Sequence, residues 1–542
     1  MLARSLVVAS MFVLLSAPAV LQRWLGGDTQ PYIVTTIALT LAAIALGLSR
    51  PTTQRDAAAD QASAATSGRY APTMVVGTLA VILVVFAARS WLQEILTIPV
   101  DPFRGDMLVL VREGLRRMLD GLNPYVVYHL PWAMPLTYGP LLWGPYALPM
   151  LMRVDLRFLT VVGELFVPAA CGLGAIASAA RGRLTAAAAA LVMLGAIAMN
   201  GELARFTSIG HTPAYWPLIA LFAWLAARER WTAAAIALGL LVVARTTMIA
   251  VVPVLLIAVW MRDRRRLAVT MALVALATVV PFLPFAVWDP RALVYALYGS
   301  YQTIIKTVVW PDATVPHTIG VTGVLLSYHL HRFVEAVQIV TMAIVYVGCW
   351  GLMRRGRAPV VLMGLALLAF SMTTLWPVTY IYFDVFLLLA SGVLAEMPWL
   401  SSRRSTSSLV RAWIATAAVA IAFVAGLGTA MLRLRPDGGH VVTWREPSQL
   451  ASVLVLRRTI SPAMVEIQLG AGETGRRQMD VTLNGTPLGA IDVSPGKDRV
   501  MLAVPGSSWQ LGANRLELSP ASPATVRGVT VRPTRSSNLV QP

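Results

Sequence analysis

The sequence predicts an α-helical polytopic membrane protein that carries a C-terminal β-sandwich on the outer side of the membrane. Three observations predict this class. The chain has 57% hydrophobic against 13% charged residues over 542 positions. Its apolar runs approach or exceed the roughly 20 residues that a helix needs to cross hydrocarbon. After residue 433 the pattern changes to short alternating runs. The composition excludes a soluble globular fold, and in lipid the backbone polar groups are satisfied within helices.

Spans are expected near 5–21, 31–49, 72–88, 157–180, 184–199, 213–227, 232–245, 247–261, 267–287, 333–352, 358–375, 380–396 and 410–431, about thirteen in all against the length requirement for a crossing. The formal charge of +18 is no nucleic-acid footprint, because the basic residues stand in knots between apolar runs: Arg181/Arg183, Arg228/Arg230, Arg262 with Arg264 to Arg266, Arg354/Arg355/Arg357 and Arg403/Arg404/Arg411. With a cytoplasmic N-terminus every knot falls inside, as the positive-inside rule requires. The expected location is therefore a multi-pass protein of the cell membrane, of bacterial inner-membrane type.

Residues 232–245 and 247–261 are read as two short helices with Arg245-Thr246-Thr247 at the outer tip, because one long helix would bury Arg245 and send Arg262 to Arg266 outside. Residues 138–152, interrupted by Pro140, Pro145 and Pro149, read as a re-entrant or interfacial segment. Ser5 to Val20, followed through Ala17-Pro18-Ala19, also fits a signal peptide. Thr52 to Gly68 reads as a flexible cytoplasmic loop. Cys171 and Cys349 sit in apolar runs without metal-ligand spacing and read as packing residues.

Residues 1–432 thus form a transmembrane domain with a first large outer loop at 89–156, and residues 433–542 form the outer domain. Strands are expected in that domain at Ser452 to Leu456, Met464 to Leu469, Met479 to Leu483, Arg499 to Val504, Arg515 to Leu518 and Val526 to Val531, with a tight hairpin at Asn484-Gly485. Trp444 and Trp509 suit either stacking on a sugar or burial in the sandwich core.

In the first loop, Asp106 to Leu122 reads as an amphipathic helix. Leu108, Val111, Leu115, Met118, Leu119 and Leu122 fall on one face, and Asp106, Glu113, Arg117 and Asp120 on the other. Ion pairs from Arg116 and Arg117 to Asp120 are expected. Asp106 heads the helix, where the dipole favours a carboxylate.

Asp106, the helix, Gly121-Leu122-Asn123-Pro124-Tyr125 and Tyr138-Gly139-Pro140 resemble the first-loop pattern of polytopic GT-C superfamily glycosyltransferases, especially the bacterial polyprenyl-phosphate-mannose-dependent type. The resemblance covers residues 72 to 400, and its specific part is the first loop. An extra N-terminal hairpin departs from the pattern. The resemblance implies transfer of a sugar, preferentially mannose, from a polyprenyl-phosphate donor to a glycolipid or glycan hydroxyl on the outer face. Asp106 would be the general base and Asp101 the alternative.

No D-x-D pair is present, so no metal site is assigned and a divalent cation stays open as a cofactor. The departing phosphate calls for a cation. Arg245 is the first candidate, with Arg205 and Lys306 second, each equally readable as a snorkelling interfacial residue. Asn123, Tyr125, Tyr138, Trp143 and Asp384 are pocket candidates, the aromatic ones equally suited to interface anchoring. Glu164 and Asp384 are carboxylates at membrane depth, and pairing with an arginine is the alternative role for Asp384. His129, His211 and His317 fall on outer segments without metal-ligand spacing. The competing functions are a transporter or lipid-linked sugar flippase, and a noncatalytic envelope assembly protein whose outer domain binds glycan.

Overall fold

The computed structural model describes residues 2–25, 29–49, 70–97, 107–129, 133–303, 306, 318–376 and 378–395 of the helical part, and 440–443, 452–458, 463–469, 477–493, 499–505, 508–510, 512–519 and 526–533 of the C-terminal part. Asp101, Asp106, His317, Trp444, the segment 52–68, the arginines at 403, 404 and 411 and the expected span 410–431 lie outside the described residues.

The helical body opens with α1 (Leu2–Leu14), α2 (Ala17–Leu25), α3 (Gln30–Leu48) and α4 (Tyr70–Thr97). The first-loop helix α5 (Met107–Leu119) follows, then a small hairpin of β1 (Val127–His129) and β2 (Ala133–Pro135), and the short helices α6 (Pro140–Trp143) and α7 (Ala147–Leu151). Next come α8 (Arg157–Ala179), α9 (Leu184–Ala198), α10 (Gly201–Ile209), α11 (Trp216–Ala227), α12 (Trp231–Ala244) and α13 (Val252–Arg262). The body ends with α14 (Leu267–Val279), α15 (Leu283–Trp288), α16 (Pro290–Val294), α17 (Val321–Ser327), α18 (Val334–Arg354), α19 (Pro359–Thr373) and α20 (Ile381–Ala395).

Among the described residues, five stretches are long and apolar enough to cross a membrane: Gln30–Leu48, Pro72–Gln93, Arg157–Ala179, Arg264–Trp288 and His331–Arg354. A sixth arises if α9 and α10, bent by 49° at their junction, count as one crossing. Of the roughly thirteen spans expected, this set carries the length for a full crossing by a single helix, and six further apolar helices of 10–17 residues are shorter. α11, α12, α19 and α20 run for 12 to 15 residues, and at 1.5 Å per residue a 15-residue helix reaches only about 22 Å of the roughly 30 Å core.

Arg245 does separate two helices. α12 stops at Ala244, Arg245 is extended at φ −142° and ψ 104°, and a 3-10 turn (Thr246–Val251) leads into α13. The segment read as a signal peptide packs into the body: Val8, Met11, Phe12 and Leu15 are buried in its main core, and Asn200 Nδ2 donates to the Phe12 carbonyl at 2.9 Å.

The C-terminal part forms two antiparallel sheets, one of three strands and one of five. The strands are β3 (His440–Thr443), β4 (Ser452–Arg458), β5 (Ala463–Leu469), β6 (Arg477–Leu483), β7 (Thr486–Val493), β8 (Arg499–Val504), β9 (Gly512–Ser519) and β10 (Val526–Pro533), in the orders β10-β5-β8 and β3-β4-β9-β6-β7. Alternate residues of both sheets, among them Val465, Ile467, Val481, Leu483, Leu516 and Leu518, share one apolar core with Trp509. Trp509 is fully buried, so it packs the core and does not offer a stacking face. Asn484 and Gly485 make the β6–β7 turn with φ of 53° and 79°, the positive values that such two-residue hairpins require.

Candidate functional site

The first loop is held together by its own motif residues. Asn123 Oδ1 accepts the Tyr125 backbone N–H at 2.9 Å and its carbonyl accepts Arg117 Nε at 3.1 Å. Tyr125 is buried, donates its hydroxyl to the Tyr138 carbonyl at 3.1 Å, and meets Trp143, whose indole N–H reaches the same carbonyl at 3.2 Å. Tyr128 donates to the Pro124 carbonyl at 2.6 Å, and burial pushes its hydroxyl up to about 12, which keeps it a neutral donor. Asn123 and Tyr125, expected as pocket residues, thus serve the loop's own structure: Asn123 braces the turn through Oδ1 and its carbonyl, and Tyr125 ties the turn to Tyr138.

The face assignment of α5 also changes. Its first half is buried on all sides from Met107 to Val111, whereas Leu119 and Leu122 are exposed. The ion pairs form at Glu113, with Arg112 at 3.0 Å and Arg116 at 3.3 Å, in place of the expected pairs to Asp120. Arg117 turns instead to Asn123.

Next to this loop lies a buried polar cluster. The loop reaches it by close backbone approach: a Cβ on Gly139 would stand 1.8 Å from the Val243 carbonyl oxygen, so only glycine lets Tyr138-Gly139-Pro140 lie against the end of α12, two residues before Arg245. On the opposite side, a Cβ on Gly163 would stand 2.6 Å from the Pro213 carbonyl oxygen, which seats the 210–215 segment directly on α8. Thr212 in that segment donates its hydroxyl to Met107 Sδ at 2.7 Å. Two parts of the first loop, the start of α5 and the Tyr-Gly-Pro turn, thus converge on residues that flank the cluster.

Asp384, in the first turn of α20, is fully buried. Both of its carboxylate oxygens accept from the Tyr215 hydroxyl, at 2.8 and 2.7 Å, Oδ1 accepts the Trp216 indole N–H at 2.9 Å, and Oδ2 accepts Arg245 Nε at 3.3 Å. The Arg245 guanidinium lies over the Tyr380 ring, 4.7 Å from its centroid. Among the described residues its Nη2 is buried without a hydrogen-bond partner. Arg245, expected at the outer tip of the helix pair, is buried there beside Asp384, whose carboxylate compensates its charge.

Next to this pair, Glu164 on α8 accepts the Thr207 hydroxyl at 2.6 Å and faces His211 Nδ1 at 3.5 Å. His211 is almost fully buried among Trp216, Tyr380 and Phe383, which corrects its expected place on an exposed loop. Burial, aided by the positive charge of Arg245, holds its imidazole well below the usual range and so neutral.

The arrangement supplies a cation with an uncommitted N–H edge, an aromatic platform and two buried carboxylates. It brings together Arg245 and Asp384, with Tyr138 in the electrostatic field of Arg245. It does not bring in the secondary cations. Arg205 is exposed and paired with Glu202 at 3.7 Å, and Lys306 is paired with Glu335. Tyr215, Trp216 and Thr207 are cluster members that sequence reasoning missed, since aromatic and hydroxyl residues inside apolar runs carry no spacing that marks them as partners of a distant carboxylate. Among the described residues, no group of three His, Cys, Asp or Glu side chains is placed to hold a metal ion. Comparison with protein-family models, curated proteins and solved structures finds no match to this chain.

Proposed function

We propose that this protein is a membrane glycosyltransferase that moves a sugar, preferentially mannose, from a polyprenyl-phosphate donor to a glycolipid or glycan hydroxyl. The observation that carries this reading is the convergence of the first-loop motif on the buried Arg245–Asp384 cluster. Met107, which follows Asp106 in sequence, contacts the His211 segment, and Gly139 lies against the helix end that bears Arg245. The sequence pattern that resembles a GT-C first loop and the cation suited to a phosphate thus meet at one place.

On this reading Asp106 takes the acceptor's proton as that oxygen bonds to the anomeric carbon, and the bond from that carbon to the phosphate oxygen breaks. The electron pair stays on the phosphate, whose added charge Arg245 stabilises. The shorter apolar helices complete their crossings together with neighbouring turns, the N-terminus is cytoplasmic, and residues 433–542 form an extracytoplasmic β-sandwich. The arginine knots support that orientation.

The test is transfer of labelled sugar from synthetic polyprenyl-phosphate mannose to endogenous glycolipid in membranes holding matched amounts of wild type and Asp106→Asn. The expected result is transfer by wild type and a loss of about two to four orders of magnitude in the variant. Equal transfer by both would remove Asp106 from the role of base, with Asp101→Asn as the next variant. Movement of intact lipid-linked sugar across the membrane, unaffected by Asp106→Asn and without transfer, would replace the enzyme by a flippase.

A further inference from the structure

A buried arginine–aspartate pair that exists only to cancel charge tends to close into the two-pronged fork that matches guanidinium to carboxylate. The pair at Arg245 does not. Only Nε meets Asp384, at 3.3 Å, while Tyr215 and Trp216 supply shorter, neutral hydrogen bonds to the same carboxylate at 2.7 to 2.9 Å. Asp384 is thereby fixed by two aromatic side chains from the start of α11, and it fixes one edge of the guanidinium in turn. The flat face is held by Tyr380. Among the described residues, Nη2 is buried and lacks a hydrogen-bond partner, as does the hydroxyl of Thr247 two residues on. Buried donors of this kind are ordinarily satisfied, and one without a protein partner that lies beside a half-committed charge is free to meet a water or a ligand group.

We propose that Asp384, held by Tyr215 and Trp216, is a positioning residue that presents the Nη2 edge of Arg245 to the phosphate of a lipid ligand. This rests on the donor reading above and adds the device that selects for the charged headgroup. The ligand chemistry is a phosphate ester on an isoprenoid chain. Inorganic phosphate shares the anion but not the chain.

The experiment uses the full-length protein in nanodiscs, with binding of farnesyl phosphate, farnesol and inorganic phosphate read from tryptophan fluorescence or by calorimetry, and thermal melting as the check on folding. Wild type should bind farnesyl phosphate at least tenfold more tightly than farnesol or inorganic phosphate. Asp384→Asn should lose most of that preference, and Asp384→Glu should recover part of it. The double variant Arg245→Gln/Asp384→Asn should melt like wild type yet bind farnesyl phosphate and farnesol alike, an outcome that a merely structural pair would not produce. Retention of the preference by Asp384→Asn would overturn the positioning role. Equal binding of farnesyl phosphate and farnesol by wild type, or binding of inorganic phosphate as tight as that of farnesyl phosphate, would overturn the lipid-phosphate site. Sugar transfer is measured separately, so a selective phosphate site without transfer would overturn the enzyme reading and leave this one standing.

Discussion

Two buried arginine–aspartate pairs sit in the same helical body and are built in opposite ways. At Arg157 the guanidinium is saturated: Nε and Nη2 engage Asp155, Nη1 donates to the Ser208 carbonyl at 2.9 Å and Nη2 also reaches the Ile95 carbonyl at 2.9 Å. That pair ties α4, α8 and α10 together and leaves nothing for a ligand. At Arg245 a single nitrogen meets the carboxylate, neutral donors complete the shell of Asp384, and an N–H edge is left over. Burial alone therefore does not distinguish a structural pair from a candidate site. The distribution of donors does, because every hydrogen bond to backbone stabilises the fold, and every donor without a partner costs stability unless something binds it.

The largest expected effect breaks the closed pair. Arg157→Met leaves Asp155 buried without its cation and two carbonyls without a donor, and should destabilise the protein by about 3–5 kcal/mol. The measurement is the melting temperature and folded yield in detergent, and a variant that melts like wild type would refute the pinning role. The next effect tests the contact between the first loop and the open pair. Gly139→Ala places a methyl group 1.8 Å from the Val243 carbonyl oxygen, and the overpacking should cost about 1–3 kcal/mol by pushing the loop off α12. Transfer activity should fall with it, whereas Gly195→Ala, where a Cβ meets nothing within 4 Å, should leave both melting and transfer unchanged. A smaller effect is expected within the loop. Tyr125→Phe removes the hydrogen bond to the Tyr138 carbonyl, which the Trp143 indole N–H still satisfies, so the loss should be about 1 kcal/mol, read by melting.

The same contrast explains what could be read before the fold was known. The separation of α12 from α13 at Arg245 followed from where the arginines fall, since one long helix would have carried that charge into lipid. The Asn484-Gly485 turn followed from the positive φ values it needs. Asp384 and Glu164 stood out because a carboxylate at membrane depth is costly. Their partners were not legible. Tyr215 lies 169 positions from Asp384, and no local periodicity reports a contact across that distance. His211 was misread because a polar residue in a short connection looks solvated until the connection is seen to be seated on Gly163 and capped by Met107. The bracing role of Asn123 and Tyr125 was hidden for the converse reason: polar groups in a conspicuous motif also serve the loop's own backbone. The lengths of the helices were not legible either, because hydropathy does not register the 3-10 turns and bends that divide apolar stretches into short helices.

The smallest expected effect is the one that sharpens the comparison most. Neutralising both members of the open pair, Arg245→Gln with Asp384→Asn, removes two buried charges together and keeps a carbonyl oxygen at position 384 to accept from Tyr215 or Trp216. Little stability was stored in the single 3.3 Å contact between the charges, and the desolvation penalty disappears along with it, so the change in melting should correspond to less than about 1 kcal/mol. The matched change in the closed pair, Arg157→Gln with Asp155→Asn, also removes both charges, but a glutamine amide cannot span Ser208, Ile95 and position 155 at once. At least two backbone carbonyls and side-chain acceptors lose their donor, and the loss should exceed that of the open pair by about 1–3 kcal/mol. Measured side by side, equal losses would mean that both pairs are structural pins. A loss confined to the closed pair would mean that the charges at Arg245 and Asp384 are not kept for the fold.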